Sequence, residues 1–252
     1  MELKAINYKD LPNKEKINEF VSLVRDLLFP NYFHLINDKD LLEKECHFFF
    51  HNYISEDYEK EQIFFSKIGV IYNSLLNDIE MTYNSDPACT SLEEPLISYP
   101  GINAIIIYRI AHILYELDLK IIARLISETA HSKTGIDIHP GATIGDYFFI
   151  DHGTGIVIGE TTVIGHHVKI YQGVTLGALS LGRGQGLKGL KRHPTIGNYV
   201  TIYSGASILG GETSIGDNTI IGSNVFITKS IEKNKKVINK EAEIIMIDKD
   251  NK

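Results

Sequence analysis

Residues 150–160 read IDHGTGIVIGE, and they sit where a repeat loses its register. Upstream, Ile138, Ile144 and Ile150 follow one another at intervals of six; downstream, Ile158, Ile164, Ile170 and Leu176 keep the same interval, but displaced by two. Ile196, Ile202 and Ile208 resume it after a long interruption, and Ile215, Ile221 and Ile227 continue after a further slip of one. Strands repeat at two residues and helices at 3.6, so a sustained period of six calls for another architecture. Short repeats of this kind build parallel β-helices, in which three six-residue sides make one triangular coil. The leading aliphatic residue points inward, and a following glycine permits the corner. Regular positions then build the wall, and function is expected where the period breaks. One break holds Asp151 and His152; the other, between Leu176 and Ile196, ends in KRHP.

Outward from the repeat, composition changes near residue 134. All but Gly69 and Gly101 of the 21 glycines lie between Gly135 and Gly222. The earlier part has helical periodicity. Ile17, Phe20, Val21, Val24, Leu27 and Leu28 share one face, and Pro30 ends that segment. Further helices are expected over Asp40–Tyr53, Glu59–Met81, Ile102–Leu117 and Lys120–Ala130, with a turn-rich break at NSDPACTSLEEP. The expected fold class is α+β: an all-helical domain over 1–133, a β-helix over 134–231 and a charged C-terminal tail over 232–252.

Charge narrows the function classes. The net charge is −7, with −8 of it in the first 133 residues and +1 in the last 21, and an acidic chain without a basic face is a poor nucleic-acid binder. From Thr161 to Gly211, however, there is no acidic residue, while Lys169, Arg183, Lys188, Lys191 and Arg192 are basic. Such a local field suits a small anionic ligand. MELKAINYKD has no apolar signal-peptide core and there is no run of 18 apolar residues, so a soluble cytoplasmic protein without membrane contact is expected. Cys46 and Cys89 form neither a CxxC pair nor a disulfide framework.

His152 is a candidate general base, since imidazole titrates near neutrality. Its other ring nitrogen needs an orienting carboxylate. Asp137, in GIDIHPG, is the positional candidate, because Ile138 and Ile150 are twelve residues apart, two sides of the triangle; Asp151, adjacent in an extended segment, should point the opposite way. A surface histidine is the competing reading. Arg192 offers a fork for a carboxylate or phosphate, and Asp86 sits in the turn-rich break. His47 and His51 have the i, i+4 spacing of metal ligands, but no third ligand is evident and no metal is expected.

Taken together, GIDIHPGATIG, IDHGTGIVIGET, GVTLGA, KRHPTIG and ILGGETSIGDNTIIGSNVFIT, with DPA and YRIAH upstream, resemble the serine O-acetyltransferases of cysteine biosynthesis. The resemblance covers roughly residues 80 to 230. It implies a helical domain followed by a left-handed β-helix, in trimers or dimers of trimers. It also implies acetyl transfer from acetyl-CoA to L-serine, with His152 as base and Asp137 orienting it. Asp86 and Asp151 would hold the serine amino group, and Arg192 and His193 its carboxylate. Acetyl-CoA would lie along the coils beside the long loop, with Gly177, Arg183, Lys188, Lys191 and Ser204 as candidate contacts. Glu160 would brace the site. The family's terminal isoleucine, which docks into cysteine synthase, is replaced here by DKDNK, which puts that complex in doubt. Cysteine, sharing serine's charged ends, is an expected inhibitor. Three alternatives stand beside this reading: transfer to another hydroxyl acceptor, a zinc lyase of the carbonic anhydrase type using His139, His152 and His166 or His167, and a non-catalytic scaffold.

Overall fold

The computed structural model describes residues 11–180, 182 and 184–240. Seven α-helices come first: α1 (Lys14–Leu28), α2 (Lys39–Phe49), α3 (Tyr58–Ser66), α4 (Ile68–Ser85), α5 (Glu93–Ser98), α6 (Pro100–Glu116) and α7 (Lys120–Thr134). Asn13, Asp38 and Asp57 cap α1, α2 and α3 by accepting amide hydrogens of the first turn. A π-turn, Phe50–Ile54, extends α2. Gly135 ends α7 in the left-handed conformation, at φ 71°. The helix expected over Glu59–Met81 is instead two, separated at Lys67. The break lets Phe64 on one side and Ile71, Leu75 and Ile79 on the other face the same core. The turn-rich break contains α5, with Glu93 and Glu94 at its positive end. No helix among the described residues is long and apolar enough to cross a membrane.

From Asp137 the chain winds into a triangular coil with three parallel sheets. The first face stacks β1 (Asp137–Ile138), β4 (Val157–Ile158), β7 (Thr175–Gly177), β10 (Ser207–Leu209) and β13 (Phe226–Ile227). The second stacks β2 (Thr143–Ile144), β5 (Val163–Ile164), β8 (Thr195–Ile196) and β11 (Ser214–Ile215). The third stacks β3 (Phe149–Asp151), β6 (Lys169–Tyr171), β9 (Thr201–Ile202), β12 (Ile220–Ile221) and β14 (Lys236–Val237). The repeat leaders meet in register: Ile138 on Ile158, Ile158 on Leu176, Leu176 on Ile208, Ile208 on Ile227. All are buried. Each such side chain contributes about 1.5–3 kcal/mol by leaving water.

The register also locates the breaks. Asp137 pairs with Val157 but Val157 with Thr175, so the turn between β3 and β4 carries two extra residues. Val163 pairs with Thr195, which places the long interruption between the first and second faces. It includes one 3₁₀ turn, Gly184–Leu187. Part of the C-terminal tail is a strand, β14, which covers β12; residues 241–252 lie outside the described residues.

Helices and coil are joined by a buried ion pair. Asp78 of α4, fully buried, accepts from Arg109 Nε of α6 at 2.7 Å and from the Phe148 amide at 2.8 Å, while Arg109 Nη2 donates to the Gly145 carbonyl at 3.0 Å. Every charged atom of the carboxylate finds a donor, which is the condition for burying it. Gly101 at the start of α6 lies against β3: a Cβ there would stand 2.7 Å from the Ile150 carbonyl oxygen. This seats the helical region beside Asp151.

Candidate active site

The two extra residues after β3 form the edge between the third and first faces. His152, Gly153 and Gly155 all have positive φ, at 56°, 89° and 80°. The same left-handed conformation recurs at other corners of the coil, at Tyr147, His167, Tyr199, Asn218 and Asn224, so it belongs to the corner geometry. It throws the imidazole outward, and its side chain is 74% exposed. The expectation that Asp151 and His152 point opposite ways fails, because it assumed extended backbone through both. The left-handed turn brings His152 Nε2 to 3.7 Å from Asp151 Oδ1.

Asp86, at the C-terminus of α4, reaches the same edge from the helical region. Its Oδ2 accepts from the Tyr99 hydroxyl at 2.6 Å and its Oδ1 from the Ala88 amide at 2.8 Å. These two donors, with a smaller pull from His152, hold its carboxyl below the usual carboxylate range. Tyr171 is the register partner of Asp151 on the next coil, and its ring stacks on Tyr203 at 5.0 Å. Burial first, then Asp151, pushes the Tyr171 hydroxyl up. Asp137 lies on the first face, beyond this turn. Among the described residues it makes no side-chain hydrogen bond to His152. Its carboxylate instead comes within 4.8 Å of Glu128 and His131 at the end of α7.

Arg192 and His193 are elsewhere. They pack at the opposite edge, between the first and second faces. The His193 ring covers Gly159, where any Cβ would collide with it, and only 7% of the residue is exposed. Its Nδ1 accepts the Thr161 amide hydrogen at 3.0 Å, which leaves Nε2 to carry the ring hydrogen. Burial and then Arg192 push His193 down to about 4, so it is neutral near pH 7. Thr161 Oγ1 accepts the amides of Arg192 and His193 at 2.9 and 3.1 Å, fixing both residues. Arg192 Nη2 pairs with Glu160 Oε2, and the Tyr115 hydroxyl donates to Glu160 Oε1 at 2.6 Å. Burial works to raise the Glu160 carboxyl, but Tyr115 and Arg192 outweigh it and hold it low. Arg192 Nη1 is buried with no hydrogen-bond partner among the described residues. A fork with one prong braced and one unpaired suits a carboxylate.

The anionic-ligand residues divide between the same two edges. Lys188 and Arg192 border a cleft of about 290 Å³ with Glu160 and Gln185. Lys191 is less available than its sequence position suggested: its ammonium donates to the carbonyls of Thr161 at 2.5 Å and Pro194 at 3.2 Å. Gly177 ends β7 on the first face. Ser204 lies below His152 on the third–first edge, where its hydroxyl reaches that of Ser223 at 3.3 Å. Arg183 lies outside the described residues.

The histidines of the zinc-lyase alternative, which would have to gather at a subunit interface, do not converge within one chain. His139 is at the first–second edge, His152 at the third–first edge and His166 and His167 at the second–third edge, where His167 stacks between Tyr147 and Tyr199. His47 does meet a third group, Glu61, at 2.6 Å, while His51 stays 4.0 Å away from it. Among the described residues, Glu128, His131 and Asp137 alone bring three ligand-type atoms close enough for one ion. Sequence reasoning missed Tyr99, Tyr115 and Tyr171. Aromatic residues in helices and strands read as packing, and nothing in their spacing marks a hydroxyl that reaches a carboxylate.

No family model matches the chain. A plasmid-encoded serine acetyltransferase of Synechococcus elongatus is 41% identical over 241 residues, covering 81% of this chain and 75% of that protein. The structure of serine acetyltransferase isoform 3 from Entamoeba histolytica, in complex with cysteine, is 39% identical with a TM-score of 0.79, covering 90% of this chain and 83% of that one. A serine acetyltransferase in complex with CoA is 28% identical with a TM-score of 0.64, covering 91% and 85%. On this likeness of sequence and fold, spanning helices and coil alike, the chain belongs to the serine acetyltransferases and is an acyltransferase.

Proposed function

We propose that the protein transfers the acetyl group of acetyl-CoA to the hydroxyl of L-serine, and that the edge carrying His152 is where the bond forms. His152 takes the proton of the serine hydroxyl as its oxygen attacks the thioester carbonyl. The tetrahedral oxyanion collapses, the carbon–sulfur bond breaks, and the imidazolium returns the proton to the departing CoA thiolate. Asp137 turns from its place on the first face to orient the imidazolium. Asp86 and Asp151 hold the serine ammonium. One observation carries the reading: two carboxylates, Asp86 and Asp151, flank an exposed histidine that the coil breaks its register to present.

Arg192 and His193 bind the serine carboxylate, but not in the same chain as the His152 they serve. The first face lies between the two edges, on the order of 15 Å of extended backbone, and serine cannot bridge it. A second copy, placing its first–second edge against the first copy's third–first edge, completes the site. This supports a cyclic homotrimer. CoA then lies between copies, along Ser204 and Gly177 of one and the long loop with Lys188 of the next. Cysteine, with the same ammonium and carboxylate, competes for the anchors. The cytoplasm is the compartment that supplies acetyl-CoA to such an enzyme.

Serine-dependent release of the CoA thiol tests the reading. We expect activity that falls by about 10²- to 10⁴-fold in His152→Ala. Release that persists in that variant would remove the base, and absence of release with serine would move the acceptor to another hydroxyl compound.

A further inference from the structure

Asp86, the proposed ammonium anchor, is gripped at both carboxylate oxygens, and the two donors differ in kind. Ala88 is two residues away, and its amide bond to Oδ1 is a local turn. Tyr99 comes from the far end of the connection that carries α5, immediately before α6. Its hydroxyl meets Oδ2 at 2.6 Å, short for a hydrogen bond and charge-assisted. Two residues later Gly101 presses on the Ile150 carbonyl, one residue before Asp151. The segment that places the Tyr99 hydroxyl is thus seated on the strand that places the second anchor. A carboxylate at a helix end rotates freely about its last bond unless something fixes it. Tyr99 fixes the plane of Asp86 and occupies one acceptor position of Oδ2, while His152 stands close enough to act on the same carboxyl.

We propose that Tyr99 is a positioning residue for the acceptor's ammonium group, acting through Asp86 and setting acceptor affinity rather than the rate of acyl transfer. This rests on the reading of Asp86 as ammonium anchor. It assigns specificity to the connection between α4 and α6, outside the coil that carries the reacting groups. An acceptor with a hydroxyl but no ammonium gains nothing from Tyr99.

Steady-state kinetics on the full chain tests it with Tyr99→Phe, Asp86→Asn and the double variant, varying serine and acetyl-CoA separately. Phenylalanine keeps the ring and its packing and removes only the hydroxyl. We expect Tyr99→Phe to raise the serine KM about 3- to 10-fold, with kcat within about 2-fold and the acetyl-CoA KM unchanged. Asp86→Asn should raise the serine KM further, and adding Tyr99→Phe to it should make no additional difference, because the hydroxyl acts only through the carboxylate. An unchanged serine KM in Tyr99→Phe, beside a raised one in Asp86→Asn, overturns the role of Tyr99 alone. Additive effects in the double variant overturn it too, as does a fall in kcat with a lowered melting temperature and unaltered KM, the mark of a staple in the fold. A serine KM unmoved by Asp86→Asn removes the anchor itself, and this inference with it.

Discussion

His152 shows how far a residue can be read before its backbone is known. Its candidacy came from a repeat counted in sixes, and the register of β1, β4 and β7 bears out the two-residue slip. Its neighbour was misjudged, because the positive φ that folds Asp151 back toward it is not encoded by residue type. His193 is the reverse case. Nothing in KRHP signals that its ring is sealed over Gly159, yet that sealing fixes its protonation. The consequence for stability has a definite sign. Its folded value, about 4, lies below the ordinary 6.5. Between those limits the unfolded chain takes up a proton that the folded chain refuses. Its contribution is therefore intact above about pH 6.5 and is lost as pH falls toward 4, by at most about 3 kcal/mol. Melting temperatures measured from pH 7 to pH 4.5 should fall more steeply for the parent protein than for His193→Gln. Parallel curves would show that His193 is not buried neutral.

At the scale of elements, the coil strands are two or three residues long and none could persist alone. Their stability is the stacking of one leader on the next, so a cavity in a middle coil is felt on both sides. Ile208, fully buried between Leu176 and Ile227, is such a position. Ile208→Ala should cost about 2–5 kcal/mol, read as a lower urea midpoint. A midpoint within 0.3 M of the parent's would mean that the leaders do not bear the load. This layer was legible because period six has few architectural meanings. The helical layer was legible in its faces but not in its joints. Tyr58–Ser66 and Ile68–Ser85 carry one continuous helical pattern, and only packing against the core shows that they part at Lys67. The Asp78–Arg109 pair was equally hidden, since two charges on helices read as surface until the coil supplies Phe148 and Gly145 as their partners.

At the scale of the molecule, the sequence presents six site residues as one set, and the fold divides them. Asp86, Asp151 and His152 gather at the third–first edge; Arg192 and His193 are fixed at the first–second edge by Thr161, Glu160 and Gly159; Asp137 lies on the face between. Distance along the chain could not reveal this, because the edge a residue occupies depends on how many residues the preceding turns contain. On the proposed reading, a ligand as small as serine, held at both ends, draws its anchors from two copies. The measurement that tests this most directly is complementation between two inactive variants, His152→Ala and Arg192→Ala, each assayed alone and then co-expressed in equal amounts. If each site takes its base from one copy and its carboxylate anchor from the next, random trimers restore about a quarter of the parent's serine-dependent thiol release, because one site in four receives both intact edges. Mixed oligomers no more active than either variant alone would contradict the account and place the whole site within one chain.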